Sequence, residues 1–288
     1  MKEHIRLLRP HQWIKNVFIL IPAFFAGKIS LLITDYRLAV AFVSFCAMAS
    51  AVYVLNDIFD IERDKLHELK RNRPLATGAV SKKAATGILA LMLLIALATA
   101  WLVGREFFLV AIGYFLLNLV YSLYLKNISL IDISLIAIGF ILRVLAGGAA
   151  AEVPISKWLI LMTFLLACCL ALGKRRDDLI LDVDKHTLRP SLKGYTLPFI
   201  DVCLVVLSVT TIVCYIMYTV SEEVVQRLHS DQMYLTSVFV IIGLLRFLQI
   251  AIVEQKSGSP TMILLKDPMI RVMVGAWFAA FLFILYAS

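Results

Sequence analysis

From its amino end the chain reads as a series of long apolar runs, each about as long as a bilayer's hydrocarbon core is thick, separated by polar breaks. A spanning helix takes roughly 20 predominantly apolar residues. Nine stretches qualify, at about 17–34, 38–56, 84–103, 107–124, 130–150, 156–173, 198–220, 233–250 and 269–287. None alternates with period two, so a closed β-barrel is not expected. Helices are the other way to satisfy backbone polar groups in hydrocarbon. The pattern predicts an all-α polytopic membrane protein, one domain over residues 1–288 with nine transmembrane helices.

Composition agrees. The chain is 61% hydrophobic and 17% charged, with a mean hydropathy of +0.89, against about 45–50% and about 25% for a soluble domain. That much apolar surface does not fit inside one water-soluble core, and it excludes disorder. The five cysteines lie in apolar runs without metal-ligand spacing and read as small buried hydrophobes. Residues 1–16 are polar and carry Trp13 among basic residues, as a short interfacial helix would. They meet the first apolar run without a small-residue cleavage site, unlike a removable leader.

The formal charge of +8 is distributed unevenly. Of the 28 Lys and Arg residues, 22 fall on the side of the amino-terminal tail, five (Lys28, Arg37, Arg105, Lys157, Arg227) fall opposite, and Arg143 sits inside a span. By the positive-inside rule the amino terminus is cytoplasmic, and nine crossings carry the carboxyl terminus outside. The basic face is membrane-bound and interrupted by acids, so a nucleic-acid partner is not expected.

Two connections, 57–83 and 174–197, are long, and both belong to the cytoplasmic side. The first opens on Asn56-Asp57-Ile58-Phe59-Asp60-Ile61-Glu62-Arg63-Asp64. On a continuing helix Asp57, Asp60 and Asp64 share one face, as do Asn56, Asp60 and Asp64, while Glu62 falls off it. Carboxylates a turn apart repel by a few tenths of a kcal/mol per pair, so positive charge is expected among them. A hard cation with oxygen ligands, completed by water and a substrate phosphate, points to magnesium. A solvated loop with Arg63 and Lys65 as partners is the plainer alternative.

The second connection opens on Lys174-Arg175-Arg176-Asp177-Asp178, with Asp182 one turn further on. Asp178 suits a metal-bound or hydroxyl-bearing ligand. Lys174 and Arg175 suit anions, arginine through its planar fork. Further cations follow the first acids (Lys70, Arg71, Arg73) and the second (Arg189, Lys193, ahead of Tyr195). A carboxylate-held cation facing Lys and Arg is an arrangement for a diphosphate. Within the spans, Asn118, Tyr121, Lys126, Asp132 and Arg143 are costly unless turned to the bundle interior. Asn118 and Tyr121 can line one cavity, and Arg143 is either paired with Asp132 or part of a site. Gly147-Gly148 reads as close helix packing.

NDIFDIERD resembles the NDxxDxxxD metal-diphosphate motif of the UbiA superfamily of intramembrane prenyltransferases, whose members have nine helices. LRPHQWIKN, NDIFDIERDKLHELKRNRPLATG, YSLYLKNISLIDI, LRVLAGGAAAEVPISKW, GKRRDDL and RPSLKGYT together resemble its decaprenyl-phosphate phosphoribosyltransferase branch, over about residues 5–200. The resemblance implies a UbiA-type bundle with a cytoplasmic-facing central cavity, in a bacterial inner membrane, with a homo-oligomer possible. It implies magnesium-dependent transfer of 5-phosphoribose from phosphoribosyl diphosphate (PRPP) to a polyprenyl (decaprenyl) phosphate, toward cell-wall arabinan. Asn56, Asp57, Asp60 and Asp64 would take magnesium-diphosphate, and Lys70, Arg73, Lys174 and Arg175 substrate phosphates. Asp178 would take ribose or metal, with Tyr195 in the same cavity. Lys15 and Asn16 would take the lipid phosphate, while Asn118, Tyr121, Lys126, Asp182 and Arg189 complete the substrate-binding set.

The branch's second motif is GKR followed by a single acid, whereas this chain offers Asp177, Asp178 and Asp182. Two other functions fit less well. An aromatic prenyltransferase of quinone or haem synthesis would use the same metal-diphosphate logic but not these branch phrases. A transporter would place its charges at the midplane, not at cytoplasmic helix ends.

Overall fold

The computed structural model describes residues 2–28, 30–66, 70–181, 190–258 and 260–287. Among them the chain is helical, with no strand. It begins with α1 (Lys2–Leu8), a 3-10 segment (Pro10–Ile19), α2 (Ile21–Phe25) and α3 (Leu31–Thr34). Then come α4 (Tyr36–Phe59), α5 (Ile61–Leu66), α6 (Lys82–Val103), α7 (Arg105–Leu123), α8 (Ile131–Ala151) and α9 (Lys157–Leu181). α10 (Leu197–Thr219), α11 (Glu222–Leu228), α12 (Ser237–Leu248), a π-helical turn (Gln249–Val253), α13 (Pro260–Lys266) and α14 (Pro268–Ala287) follow. Side-chain oxygens start α4 and α6: Asp35 Oδ1 accepts from the Arg37 amide at 2.9 Å, and Ser81 Oγ accepts from that of Ala84 at 3.2 Å.

Eight helices among the described residues are long and apolar enough to cross a membrane, rather than the nine expected. The stretch 17–34 is the difference. It is apolar in composition but is broken into a 3-10 segment and two short helices. Pro22, in the first turn of α2, brings no amide hydrogen to the ladder. Gly27 then turns the chain with φ 70°, a conformation costly for other residues. With eight such helices, opposite sides for the two termini no longer follow from the count. The two long connections are also more helical than loops: α4 runs through Asp57 into α5, and α9 runs through Asp178 to Leu181.

The chain divides into two compact units, Met1–Lys126 with Gly139–Ile155, and Asn127–Ile138 with Ser156–Ser288. In the first, α4 is the buried axis. Phe45, Met48 and Val52 pack with Ala96 and Ala100 of α6, Phe107, Ala111 and Tyr114 of α7, and Ala146 and Ala150 of α8. Alanines let these backbones approach, and Ser44 Oγ donates to the Ala96 carbonyl across the gap at 2.8 Å. The second unit packs Cys169 and Leu172 of α9 against Ile200 and Leu204 of α10, with Phe247, Ile250, Ala251 and Ile270.

Gly147 fixes how the 3-10 segment lies on α8. A Cβ at this position would stand 2.0 Å from the carbonyl oxygen of Ile19, which is backbone and cannot swing away. Gly147→Ala is therefore expected to cost about 1–3 kcal/mol through overpacking, read as a lower melting temperature in detergent. Gly113→Ala, where nothing lies within 4 Å of the added carbon, should leave it unchanged or slightly raised.

Candidate functional site

Two polar clusters sit at the ends of apolar helices, one in each unit. In the first, the ladder of α4 runs on into α5, with the Asp60 amide donating to Asn56 O at 3.0 Å and that of Asp64 to Asp60 O at 2.7 Å. This keeps the acids on one face, as their spacing predicts. Asp57 and Asp64 are buried, at 1% and 4% exposure. Positive side chains neutralise them: Arg9 donates to Asp57 Oδ1 at 2.5 Å, and Arg73 Nη1 bridges Asp57 Oδ1 (3.0 Å) and Asp64 Oδ2 (2.6 Å). Lys126, itself buried, donates to Asp60 Oδ1 at 2.7 Å. Neither Arg63 nor Lys65 pairs with these acids; Lys65 reaches Glu62 instead.

No set of three or more His, Cys, Asp or Glu side chains gathers as a metal site among the described residues. Two oxygens nevertheless fit a hard cation. Asn56 Oδ1 and Asp57 Oδ2 are buried and accept no hydrogen bond among the described residues, a costly state unless a ligand fills it. Both are the kind of donor magnesium takes, and the rest of its shell would come from water and phosphate oxygens.

Lys15 and Asn16 belong to the 3-10 segment of this same unit. Asn16 is fully buried and faces protein: its Oδ1 accepts from Arg143 Nε at 2.9 Å, and its Nδ2 donates to Cys46 Sγ at 3.3 Å. Lys15 makes no hydrogen bond or ion pair among the described residues. Burial, and then the charges of Arg143 and Arg9, push its ammonium down to about 8. Asn118 turns back on its own helix, donating to Tyr114 O at 2.7 Å, and half-buried Tyr121 makes no hydrogen bond among the described residues. Lys70 is half-buried at the head of the turn Lys70–Asn72.

In the second unit Asp132 is the hub. Fully buried, it accepts from Arg175 Nε at 2.7 Å, from Tyr195 Oη at 3.1 Å and from Ser191 Oγ at 3.4 Å. Arg175 also donates to Asp178 Oδ2 at 3.0 Å. Tyr195 Oη in turn accepts from the Leu130 amide at 2.7 Å, and burial pushes its phenol up to about 12. Asp132 and Arg143 share α8 but do not pair. Lys174 is exposed, and Asp182 and Arg189 lie outside the described residues.

The two acids after GKRR separate cleanly. Asp178 joins the Arg175 cluster. Asp177 instead accepts from the Ser257 amide (2.9 Å), from Ser257 Oγ (2.7 Å) and from the Gly258 amide, and so ties down the segment after the π-helical turn. Sequence reasoning missed Arg9 as the partner of Asp57 and Asp132 as the hub. The unmet need for positive charge beside the acids was the available signal for Arg9. An open depression of about 600 Å³ near His229 and Asp231 shares no residue with either cluster.

Membrane-length helices with acids and bases matched at their ends define a polytopic protein whose ion-pair clusters lie at those ends. The chain belongs to the UbiA prenyltransferase family, which matches residues 17–189, and within it to the decaprenyl-phosphate phosphoribosyltransferase branch; it is a transferase. It is 31% identical over 285 residues to the decaprenyl-phosphate phosphoribosyltransferase of Mycolicibacterium smegmatis, covering 95% of this chain and 89% of that protein. For that of Corynebacterium glutamicum the figures are 30% over 278 residues, 95% and 83%. The fold is similar to that of a UbiA homolog from Archaeoglobus fulgidus bound to GPP and Mg2+, with TM-score 0.73 at 22% identity over 97% of this chain and 99% of that one.

Two outcomes follow from the geometry. Asp177→Asn turns one acceptor into a donor facing a donor, so it should cost about 1–3 kcal/mol, seen as a lower melting temperature. Lys15 titrates lower in the folded protein than in the unfolded one. Its charged form is therefore penalised in full below pH 8, and the penalty fades as pH rises from about 8 toward about 10.4. Lys15→Met should thus melt above wild type at pH 7, with the gap closing toward pH 10.

Proposed function

We propose that the protein transfers 5-phosphoribose from PRPP to a polyprenyl phosphate, releasing diphosphate, with magnesium as cofactor. The observation that carries this reading is the mixed-sign cluster of the first unit. It holds three aspartates, the cations Arg9, Arg73 and Lys126, and two buried oxygens on Asn56 and Asp57 without a hydrogen bond among the described residues. A diphosphate with its metal needs both signs. The branch relatives support the donor sugar and the lipid acceptor through their names.

In this reaction the bond between ribose C1 and the diphosphate oxygen breaks, its electron pair leaving with the diphosphate. A phosphate oxygen of the lipid supplies the pair for the new bond. That phosphate is already anionic near neutral pH, so no residue has to remove a proton. Bound magnesium would supply charge neutralisation of the departing diphosphate. Asn56 and Asp57 would hold it, with Asp60 and Asp64 keeping the local potential negative. Arg73 and Lys70 take phosphate oxygens the metal leaves uncovered. Catalysis is then positioning and electrostatics. Lys and Arg are concentrated in the connections that carry the acids, which supports a cytoplasmic site in a bacterial inner membrane, and the Arg9–Asp57 ion pair supports an amino-terminal segment on that same side. The product belongs to lipid-linked pentose supply for arabinan.

Purified protein given PRPP, polyprenyl phosphate and magnesium should release diphosphate and form lipid-linked phosphoribose. Chelation should abolish both, and Asp57→Asn or Asp60→Asn should lower kcat by about 100-fold or more. Product from a prenyl diphosphate and an aromatic acceptor, with none from any polyprenyl phosphate, would move the protein to aromatic prenyl transfer.

A further inference from the structure

In the first cluster three acids meet three cations among the described residues: Arg9 and Arg73 on Asp57, Arg73 on Asp64, and Lys126 on Asp60. The paired groups therefore cancel, and Arg9 is the charge that brings them to balance. With Arg73 and Lys126 alone the acids would be in excess by one, and a divalent cation would meet a net negative cluster. The two oxygens that suit such a cation, Asn56 Oδ1 and Asp57 Oδ2, accept no hydrogen bond among the described residues. One of them belongs to the carboxylate on which both guanidinium groups converge.

The two guanidinium groups are not equivalent. Arg73 bridges Asp57 and Asp64 through one nitrogen and is held by both. Arg9 pairs with Asp57 alone, keeps 22% of its side chain exposed against 1% for Asp57, and lies 5.0 Å from the centre of the Tyr53 ring. Its backbone has φ 52°, in the left-handed region that glycine enters freely and other residues enter at a cost. The turn itself therefore does not call for an arginine, and the side chain's work is at Asp57. A guanidinium takes phosphate oxygens in the same forked way as it takes a carboxylate.

We propose that Arg9 is a specificity-determining residue that keeps free divalent cations off the Asn56 and Asp57 oxygens and admits one only together with a diphosphate. The polyanion supplies the negative charge that the balanced cluster lacks. It also draws the Arg9 guanidinium from Asp57 Oδ1 onto its own oxygens, which opens that carboxylate to the cation, while Arg73 stays on Asp64. The inference rests on reading the cluster as a metal–diphosphate site, not on which sugar or lipid reacts.

The test is equilibrium dialysis of the full chain in detergent against Mn2+, with and without inorganic diphosphate. Manganese stands in for magnesium as a divalent ion that takes carboxylate, carbonyl and water oxygens. Wild type should retain manganese at least tenfold more tightly when diphosphate is present. Arg9→Gln keeps a donor for Asp57 but removes the charge, and Arg73 remains on Asp57 to keep that acid paired. It should bind manganese alone at least tenfold more tightly than wild type, a small share of what a unit charge exerts on a divalent ion at ion-pair range. Arg9→Lys, which keeps the charge, should behave as wild type. So should Arg6→Gln, which removes the same charge from an exposed site paired with Glu3. If Arg9→Gln and Arg9→Lys bind manganese alike, Arg9 only ties the segment down and the proposal is overturned. Wild type holding manganese alone as tightly as with diphosphate overturns it too, whatever the variants do, and leaves the metal–diphosphate reading standing. Manganese retained under neither condition removes that reading and the inference with it.

Discussion

A charge carried into hydrocarbon must meet its opposite or a shell of hydrogen bonds, and that requirement places most of the polar side chains in this protein. Asp57 is buried at the end of the most enclosed helix and is tolerable there because Arg9 and Arg73 converge on one of its oxygens. Removing one partner from such a pair typically costs about 3–5 kcal/mol, although the intact pair adds little net stability over an apolar substitute. These pairs therefore specify where segments go more than they hold the protein together. Arg9 follows α1 and opens the 3-10 segment with a left-handed φ of 52°; its bond to Asp57 ties that turn to α4.

The same principle explains why Asp57 is only half satisfied. Its Oδ1 takes two guanidinium groups while its Oδ2, like Asn56 Oδ1, is buried with no hydrogen bond among the described residues. Had the cluster served only to neutralise three acids, the cations present could have covered that oxygen as well. A site that has to receive a cation needs an acceptor no resident donor has claimed. A site that has to receive a diphosphate needs positive charge nearby, and Arg73 and Lys126 provide it without filling those two oxygens.

The acid ladder was legible in the sequence because its information is local: spacings of three, four and seven fix a face on any helix, and the helix continues where the apolar run stops. Its partners were not legible. Arg9 lies 48 residues from Asp57, and Asp132 lies 43 from Arg175, so only packing brings either pair together. Asp177 and Asp178 are adjacent, chemically identical and point to different work, which a one-dimensional motif cannot divide. The stretch 17–34 misled for a related reason. Hydropathy averages over a window, whereas Pro22 and Gly27 act at single positions and break the ladder regardless of how apolar their neighbours are.

Gly147 and Arg143 lie one helical turn apart on α8, and both are engaged by the 3-10 segment. The missing side chain at 147 lets the Ile19 backbone sit against the helix. One turn earlier in that segment, Asn16 reaches the guanidinium, and Lys15 is carried along beside it. Were an acid at position 16 in place of Asn16, it would neutralise Arg143 and satisfy the electrostatics of folding more cheaply. An amide in its place holds the guanidinium by a hydrogen bond while leaving its charge intact, so the fold accepts an unpaired cation in apolar surroundings.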